Sequence, residues 1–470
     1  MAVTDFFIQR LTENLKYTPT SCQNLLFRAL ADFVTQDKQG DILIVCGYAG
    51  TGKTSAIASF VKTLHQFEYK YVLLAPTGRS AKVISGFTSD KAFTIHKHIY
   101  RQKSIEADGV GNFKLDINKS KDTYFIVDEA SLISVQGGSN NVFGSGDLLD
   151  DLITYVRAGV DNKLIIIGDS GQLPPIGLDK SPALDPEYMQ RYGRVEYTQL
   201  TSVVRQTRES GILSNATVVR KLIERQDATI PKMSVEEFTD IERISGGELI
   251  EKISDAVNKF GLDNVVVLCR SNKRANRYNA GIRSTVLFRE EKLTRGDKLM
   301  VVKNCYQFLE NIPELDFIAN GDVAQLMKIS KYETRYGINF AEAVLSFPDY
   351  NNVEITAKII LDTLTSESPA LSQEQQKMLF DGVCEDYADI KAKKKRFSAV
   401  REDKYYNALQ IKYATAITCH KSQGGQWKCV FIDNPFWQEP TLDDLKWLYT
   451  AITRGVEKVY FVNFKDEFFI

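Results

Sequence analysis

Seven uninterrupted apolar runs, rich in valine and isoleucine, punctuate the 470-residue chain. Four come early: "ILIVCG" (42–47), "YVLLAPT" (71–77), "YFIVDE" (124–129) and "LIIIGD" (164–169). Three come late: "NVVVLCR" (264–270), "VFIDNP" (430–435) and "VYFVNF" (459–464). A strand that is apolar on both faces must be covered on both faces. Such strands, alternating with stretches of helical spacing, give a parallel sheet between two layers of helices. The wide gap between the early and late sets predicts two such sheets.

The first run leads into a glycine loop. Gly47, Gly52, Lys53 and Thr54 fit the pattern Gly-x4-Gly-Lys-Ser/Thr, and the loop from Gly47 through Gly50, Thr51 and Gly52 to Ser55 is a candidate phosphate cradle. Glycines let backbone N–H groups turn onto phosphate oxygens, and the helix that follows points its positive dipole end at the same place. Lys53 is then expected to reach the β and γ phosphates of ATP, and the Thr54 hydroxyl to join a Mg2+ shell. A P-loop needs a carboxylate for its metal. "YFIVDEAS" supplies Asp128 for that role, and Glu129 beside it to orient and deprotonate an attacking water. Gln172, just past "IIIGD", is placed to touch the γ-phosphate with its amide. A glutamate base argues for hydrolysis by water over transfer to a small hydroxyl substrate.

Between the late runs the texture changes. "VAQLMKIS", "AEAVLSF" and "VEITAKIIL" alternate polar with apolar residues and are separated by turn-like segments, the signature of an antiparallel meander or small barrel. Residues 372–403 read as helical, with "KAKKKRF" (391–397) a basic strip that serves either DNA or solvent. "YRQKSIEADGVGNFKLDINKS" (100–120) reads as a hairpin around "ADGVGN", with Phe113 near its tip.

The formal net charge of −1 excludes binding to nucleic acid through overall charge and leaves a local basic groove open. Seven scattered cysteines without a Cys-x-x-Cys pair fit reduced thiols. The N-terminus has charges where a signal peptide needs an apolar run, and no stretch is long and apolar enough to span a bilayer. A cytoplasmic protein is expected, with no membrane partner and a monomer as the default.

In order along the chain, "GYAGTGKTS", "LLAPTGRSAK", "TIHK", "IVDEAS", "GDSGQLPPIG", "LTSVVRQ", "ITCHKSQGGQW" and "LYTAITRG" resemble the motifs of superfamily 1 helicases, the RecD, Pif and Dda branch in particular. The resemblance implies an α/β fold of two RecA-like P-loop domains, at 1–98 with 122–200 and at 201–310 with 410–470. It further implies a duplex-splitting pin hairpin at 99–121 and an SH3-like barrel within a 311–409 insertion. It implies ATP-dependent 5′ to 3′ unwinding of DNA, with single strands and duplex junctions as partners. By the same resemblance Gln23 reads adenine, and Arg205 and Arg454 reach the γ-phosphate from the second domain. A planar guanidinium also suits the equatorial charge of a phosphoryl transition state. Gln426 stands where many relatives carry a ribose-binding glutamate. Pro76, Thr77, Arg79, His96, Asn272, Thr418 and His420 fall at expected strand contacts, and Phe113 at the pin. Two alternatives stay open: a helicase of the same superfamily acting on RNA or RNA–DNA, and a P-loop switch that cycles without translocating.

Overall fold

The computed structural model describes residues 3–35, 42–102, 113–135, 143–202, 210–305, 307–309, 318–436 and 438–470. The early apolar runs become the centre of one sheet. Its strands are β1 (Ile42–Gly47), β2 (Lys70–Ala75) and β3 (Ala92–Thr94), then, after a two-stranded hairpin of β4 (Tyr100–Gln102) and β5 (Phe113–Leu115), β6 (Thr123–Val127), β7 (Lys163–Gly168) and β8 (Val195–Leu200). The order is β3-β2-β6-β7-β1-β8, and every pairing is parallel. β1, β6 and β7 are buried at every residue, which is why they read as continuous apolar runs. β3 and β8 lie at the edges, are only half-buried, and left no such signal.

The second half repeats the plan with β9 (Ile241–Ile244) and β10 (Val265–Cys269). Five barrel strands follow: β11 (Lys298–Val301), β12 (Val323–Arg335), β13 (Ile338–Phe347), β14 (Val353–Ile360) and β15 (Leu409–Tyr413). The chain then returns to the second sheet through β16 (Ala416–Thr418), β17 (Trp427–Asp433) and β18 (Gly455–Val462). That parallel sheet has the order β16-β10-β17-β18-β9.

The expected meander is β12 to β14, and it closes into a barrel through β11 and β15. β11 lies before the 311–409 segment expected to hold the insertion, and β15 begins at its last residue. β12 runs further than its sequence suggests, through "YETR". The reversal is the two-residue turn Tyr336-Gly337, both in the left-handed region at φ 52 and 69. Helices Gln373–Asp386 and Lys393–Glu402 share a separate core with one end of the barrel through Leu379, Val383 and Val400.

Among the described residues no helix is long and apolar enough to cross a membrane. All seven cysteines are free.

Candidate nucleotide cleft and strand groove

The strand ends of the first sheet place its chemistry at one edge. β1 ends at Gly47, and Gly50 and Gly52 take φ 75 and 73, a conformation that glycine adopts without strain. A side chain at Gly47 would press on Lys53, whose Cδ lies 3.1 Å from where a Cβ would sit. Helix Lys53–Gln66 begins directly after Gly52. Thr51 is fully buried and donates its hydroxyl to the Tyr48 carbonyl at 2.7 Å. Thr51 and Gly47 therefore shape the loop from beneath, while Gly50, Gly52, Lys53, Thr54 and Ser55 line an open cleft of about 410 Å³.

Glu129, Asp169 and Gln172 line the same cleft. Glu129 follows β6 with φ 53, an uncommon conformation for a residue with a side chain. Its backbone N–H donates to Asp128 Oδ1 at 2.9 Å. Glu129 Oε2 and Gln172 Oε1 are buried and have no hydrogen-bond partner from the protein. Each such atom costs about 1–3 kcal/mol when left unpaired, so both are poised for a polar ligand.

Electrostatics tie these groups together. Burial opposes the Lys53 ammonium, but Glu129, Asp128 and Asp169 outweigh it and hold its pKa above the ordinary lysine value. Burial pushes the Asp128 carboxyl up to about 6, against the pull of Lys53. Burial raises Asp169 as well, opposed by Lys53, the Tyr449 hydroxyl and the Gly171 N–H. Asp128 and the Thr54 hydroxyl offer hard oxygen donors of the kind Mg2+ prefers. No cluster of three or more candidate ligands exists among the described residues.

The second domain closes the cleft. Arg454 is 3% exposed and lines it together with Gln426, Thr453 and Val456. Its guanidinium is set by three donations: to Thr450 O at 3.2 Å, to Gly425 O at 3.2 Å and to Thr453 Oγ1 at 3.3 Å. Arg205, the other expected finger, lies outside the described residues. Four bonds clasp the domains. Tyr449, from helix Leu442–Ile452, accepts from the Ala49 N–H at 2.9 Å and donates to Asp169 Oδ2 at 2.7 Å. The Leu173 N–H donates to Thr450 Oγ1 at 2.9 Å, and Gln423 Nε2 donates to Leu173 O at 2.6 Å. Sequence reasoning missed Tyr449, although it sits five residues before Arg454 in the same motif. It also missed Tyr17 and Phe87, which give the cleft an aromatic wall.

Gln23 departs from the expected role. It is fully buried beside the loop rather than lining the cleft. Its Nε2 donates to Tyr17 Oη at 3.0 Å and to Thr51 O at 3.1 Å, while its Oε1 accepts from the Thr20 N–H at 2.9 Å. The amide braces the loop and Tyr17.

A second depression, about 220 Å³, runs where both domains meet the barrel. It brings together Pro76, Thr77, Arg79, His96 and His420, along with Lys421, Asn320 and Asp322. Asn272 and Thr418 do not line it. Asn272 opens helix Asn272–Gly281, and Thr418 ends β16. The Thr77 hydroxyl caps helix Gly78–Thr88 by accepting from the Ser80 N–H at 3.2 Å. Burial drives His96 down to about 4, so it is a neutral ring, packed 4.8 Å from Phe143. Burial also lowers His420, and brings Lys421 to about 8.

Phe113 corrects an expectation. It is 5% exposed, pairs with Gln102 across the hairpin, and packs its ring 4.7 Å from Phe143. It is a core residue at the hairpin base, where apolar burial outweighs display. The hairpin tip, 103–112, lies outside the described residues.

Two parallel α/β domains that share one nucleotide-sized cleft, with a P-loop on one side and a buried arginine on the other, define a RecA-like NTPase core. Family comparison agrees on both halves. Residues 28–228 match an AAA domain, and residues 413–462 match a UvrD-like helicase C-terminal domain. In domain make-up the chain joins an AAA domain to a UvrD-like helicase C-terminal domain.

Two uncharacterized proteins are similar over most of its length. One, from Methanocaldococcus jannaschii, is 23% identical over 89% of this chain, which spans 36% of that protein. The other, from Acanthamoeba polyphaga mimivirus, is 21% identical over 94% of this chain and 99% of its own. A solved Pif1 helicase from Bacteroides, in complex with ADP-AlF3 and ssDNA, is 15% identical with a TM-score of 0.46, covering 97% of this chain and 95% of that one.

Proposed function

We propose that the protein is an ATP-dependent DNA helicase that translocates along single-stranded DNA. The observation that carries this reading is the shared cleft: Lys53, Glu129 and Gln172 line it from the first domain and Arg454 from the second. ATP gripped from both sides favours the closed pair of domains, and hydrolysis releases that grip. A ligand with different contacts in two states is the minimum for cyclic movement.

In this reading Lys53 and the loop amides hold the β and γ phosphates, and Glu129 takes the proton of the attacking water. Arg454 meets the charge that spreads over the γ-phosphoryl oxygens, with Arg205 expected beside it. Thr54 and Asp128 would hold Mg2+, which supplies charge neutralisation between the phosphates. The groove of Thr77, His96 and His420 tracks the strand through hydroxyl and imidazole groups that do not read sequence. The UvrD-like helicase C-terminal match favours a motor over a switch. The 5′ to 3′ direction, action at duplex junctions, a monomeric state and a cytoplasmic location follow the RecD, Pif and Dda resemblance and belong to the same proposal.

The test is ATPase activity with single-stranded DNA and RNA in parallel, then unwinding of duplexes with a 5′ or a 3′ overhang. DNA-stimulated turnover and unwinding of the 5′-tailed duplex are expected. Stimulation by RNA alone would replace DNA with RNA, and ATPase indifferent to both would leave only a switch.

A further inference from the structure

Arg79 was expected to hold a strand phosphate, yet its side chain turns toward the second domain. It lies in the first turn of helix Gly78–Thr88. A cation there opposes the helix dipole and needs compensation from elsewhere. The compensation is Trp427. The guanidinium carbon sits 3.9 Å from the centroid of that ring, and Nη2 donates to the Gln426 carbonyl at 3.4 Å. A planar cation over an indole face is the strongest form of this contact. Close approach is built into the neighbouring backbone. A Cβ on Gly425 would lie 2.8 Å from Arg79 Nε and 2.7 Å from the Trp427 ring. Burial works against the Arg79 charge, Asp349 supports it, and the like charge of Arg454 opposes it.

What lies behind Trp427 gives the contact its meaning. The backbone N–H of Trp427 donates to the Arg454 carbonyl at 2.9 Å, and Arg454 Nη1 returns a bond to the Gly425 carbonyl at 3.2 Å. Gln426, whose carbonyl Arg79 holds, lines the nucleotide cleft, while Arg79 itself lines the strand groove beside Thr77 and His96. Arg79 therefore touches the groove at one end and, through Trp427 and Gln426, the segment that sets the Arg454 guanidinium at the other.

We infer that Arg79 and Trp427 are positioning residues that transmit strand occupancy of the groove to Arg454, so that hydrolysis is fast only when the groove is filled. This rests on the helicase reading above. A strand that shifts the Gly78–Thr88 helix shifts the guanidinium over Trp427, and with it the Gly425–Trp427 segment bonded to Arg454.

The experiment measures two quantities for the wild type, Arg79→Lys, Arg79→Ala, Trp427→Leu and Trp427→Phe. One is the Kd for an oligo-dT strand by fluorescence anisotropy without nucleotide. The other is kcat and KM for ATP, with and without saturating oligo-dT. Arg79→Lys keeps a positive charge for phosphate but loses the flat guanidinium. Loss of the contact in Arg79→Lys, Arg79→Ala and Trp427→Leu is expected to cut strand activation of kcat about tenfold, with strand Kd and ATP KM within about threefold of wild type. Trp427→Phe keeps a ring face and should recover most of the activation. Should Trp427→Leu fail to fold, Arg79→Lys at its half-buried position still decides the matter. Two results overturn the inference. In one, strand Kd weakens tenfold while activation at saturating strand survives, which makes Arg79 a phosphate contact. In the other, activation is unchanged in both Arg79→Lys and Trp427→Leu. A wild type with no strand-activated ATPase would overturn the helicase reading itself, and this inference with it.

Discussion

Replacing Tyr449 by phenylalanine deletes one oxygen at the centre of the domain clasp. The side chain is 1% exposed, and its hydroxyl serves two groups of the other domain at once. The bond from the Ala49 N–H is a neutral one, about 1 kcal/mol. The bond to the buried Asp169 carboxylate is charge-assisted, about 1.5–3 kcal/mol. The arrangement that sets Arg454 opposite Lys53 thus loses about 2.5–4 kcal/mol relative to arrangements lacking both bonds, or about 10²–10³ in population. Water entering a partly opened interface returns some of this, so about a tenfold fall in kcat is the lower bound expected. The assay is steady-state ATPase at saturating single-stranded DNA, with thermal unfolding measured alongside. A purely structural hydroxyl would lower the melting temperature and leave kcat alone. A kcat within threefold of wild type would refute the reasoning, because only the clasped arrangement is held to turn over.

Three other expectations are sharper for having the geometry. Arg454→Ala should keep ATP binding, measured by a fluorescent analogue, and lower kcat by about 10³-fold or more; loss of binding instead would make Arg454 a structural residue. Asp128 carries a pKa near 6, so the carboxylate needed for Mg2+ is protonated as pH falls through that value. Mg·ATP affinity should then weaken by up to about tenfold per unit below pH 6 and be pH-independent in Asp128→Asn. The stability effect has the opposite sign: a carboxyl whose pKa is raised on folding stabilises the nucleotide-free chain most below about 4 and loses that contribution as pH rises through 6, which denaturation at pH 5 and pH 8 would detect. Phe113→Ala empties a buried ring site and should cost about 3–5 kcal/mol in urea unfolding, and an unfolding change below 1 kcal/mol would restore Phe113 as a displayed pin residue.

The parts of the site that the sequence exposed are those whose chemistry is local. A phosphate cradle needs its glycines, lysine and hydroxyl within a few residues, and the metal carboxylate must directly follow a buried strand. Gly47 to Ser55, Asp128 and Glu129 were legible for that reason. Contacts that join distant segments left no such trace. Nothing within "APTGRS" tells that Arg79 will meet a tryptophan 348 positions later. The barrel shows the same limit from another side. Its closing strands "KLMV" and "LQIKY" carry lysines that read as surface, yet Lys298 and Lys412 are each under 10% exposed. Their ammonium groups bond to the carbonyls of Asp263 and Thr363 instead of water. A long lysine stem packs as apolar surface while its head finds acceptors elsewhere, so a burial pattern read from residue type fails at these strands. Gln23 shows a related limit: its amide bonds to Tyr17 and Thr51, contacts that nothing in its own segment announces.

Division of the cleft's polar groups between two domains explains why the cleft tolerates its own costs. Glu129 Oε2 and Gln172 Oε1 are buried with no protein partner, Asp128 and Asp169 are carboxyls held above their ordinary range, and Arg454 is nearly sealed from solvent. Each is unfavourable for folding on its own. All five face or adjoin one volume, and a metal-bound triphosphate with its attacking water would answer each of them: acceptors for the guanidinium, donors for the orphan oxygens, a cation for the carboxylates. Free energy withheld from stability in this way is returned only when the ligand binds and the domains are clasped. In the proposed reading binding and closure are coupled by the same atoms, and Tyr449 and Arg79 are two of the contacts that cross from one domain to the other.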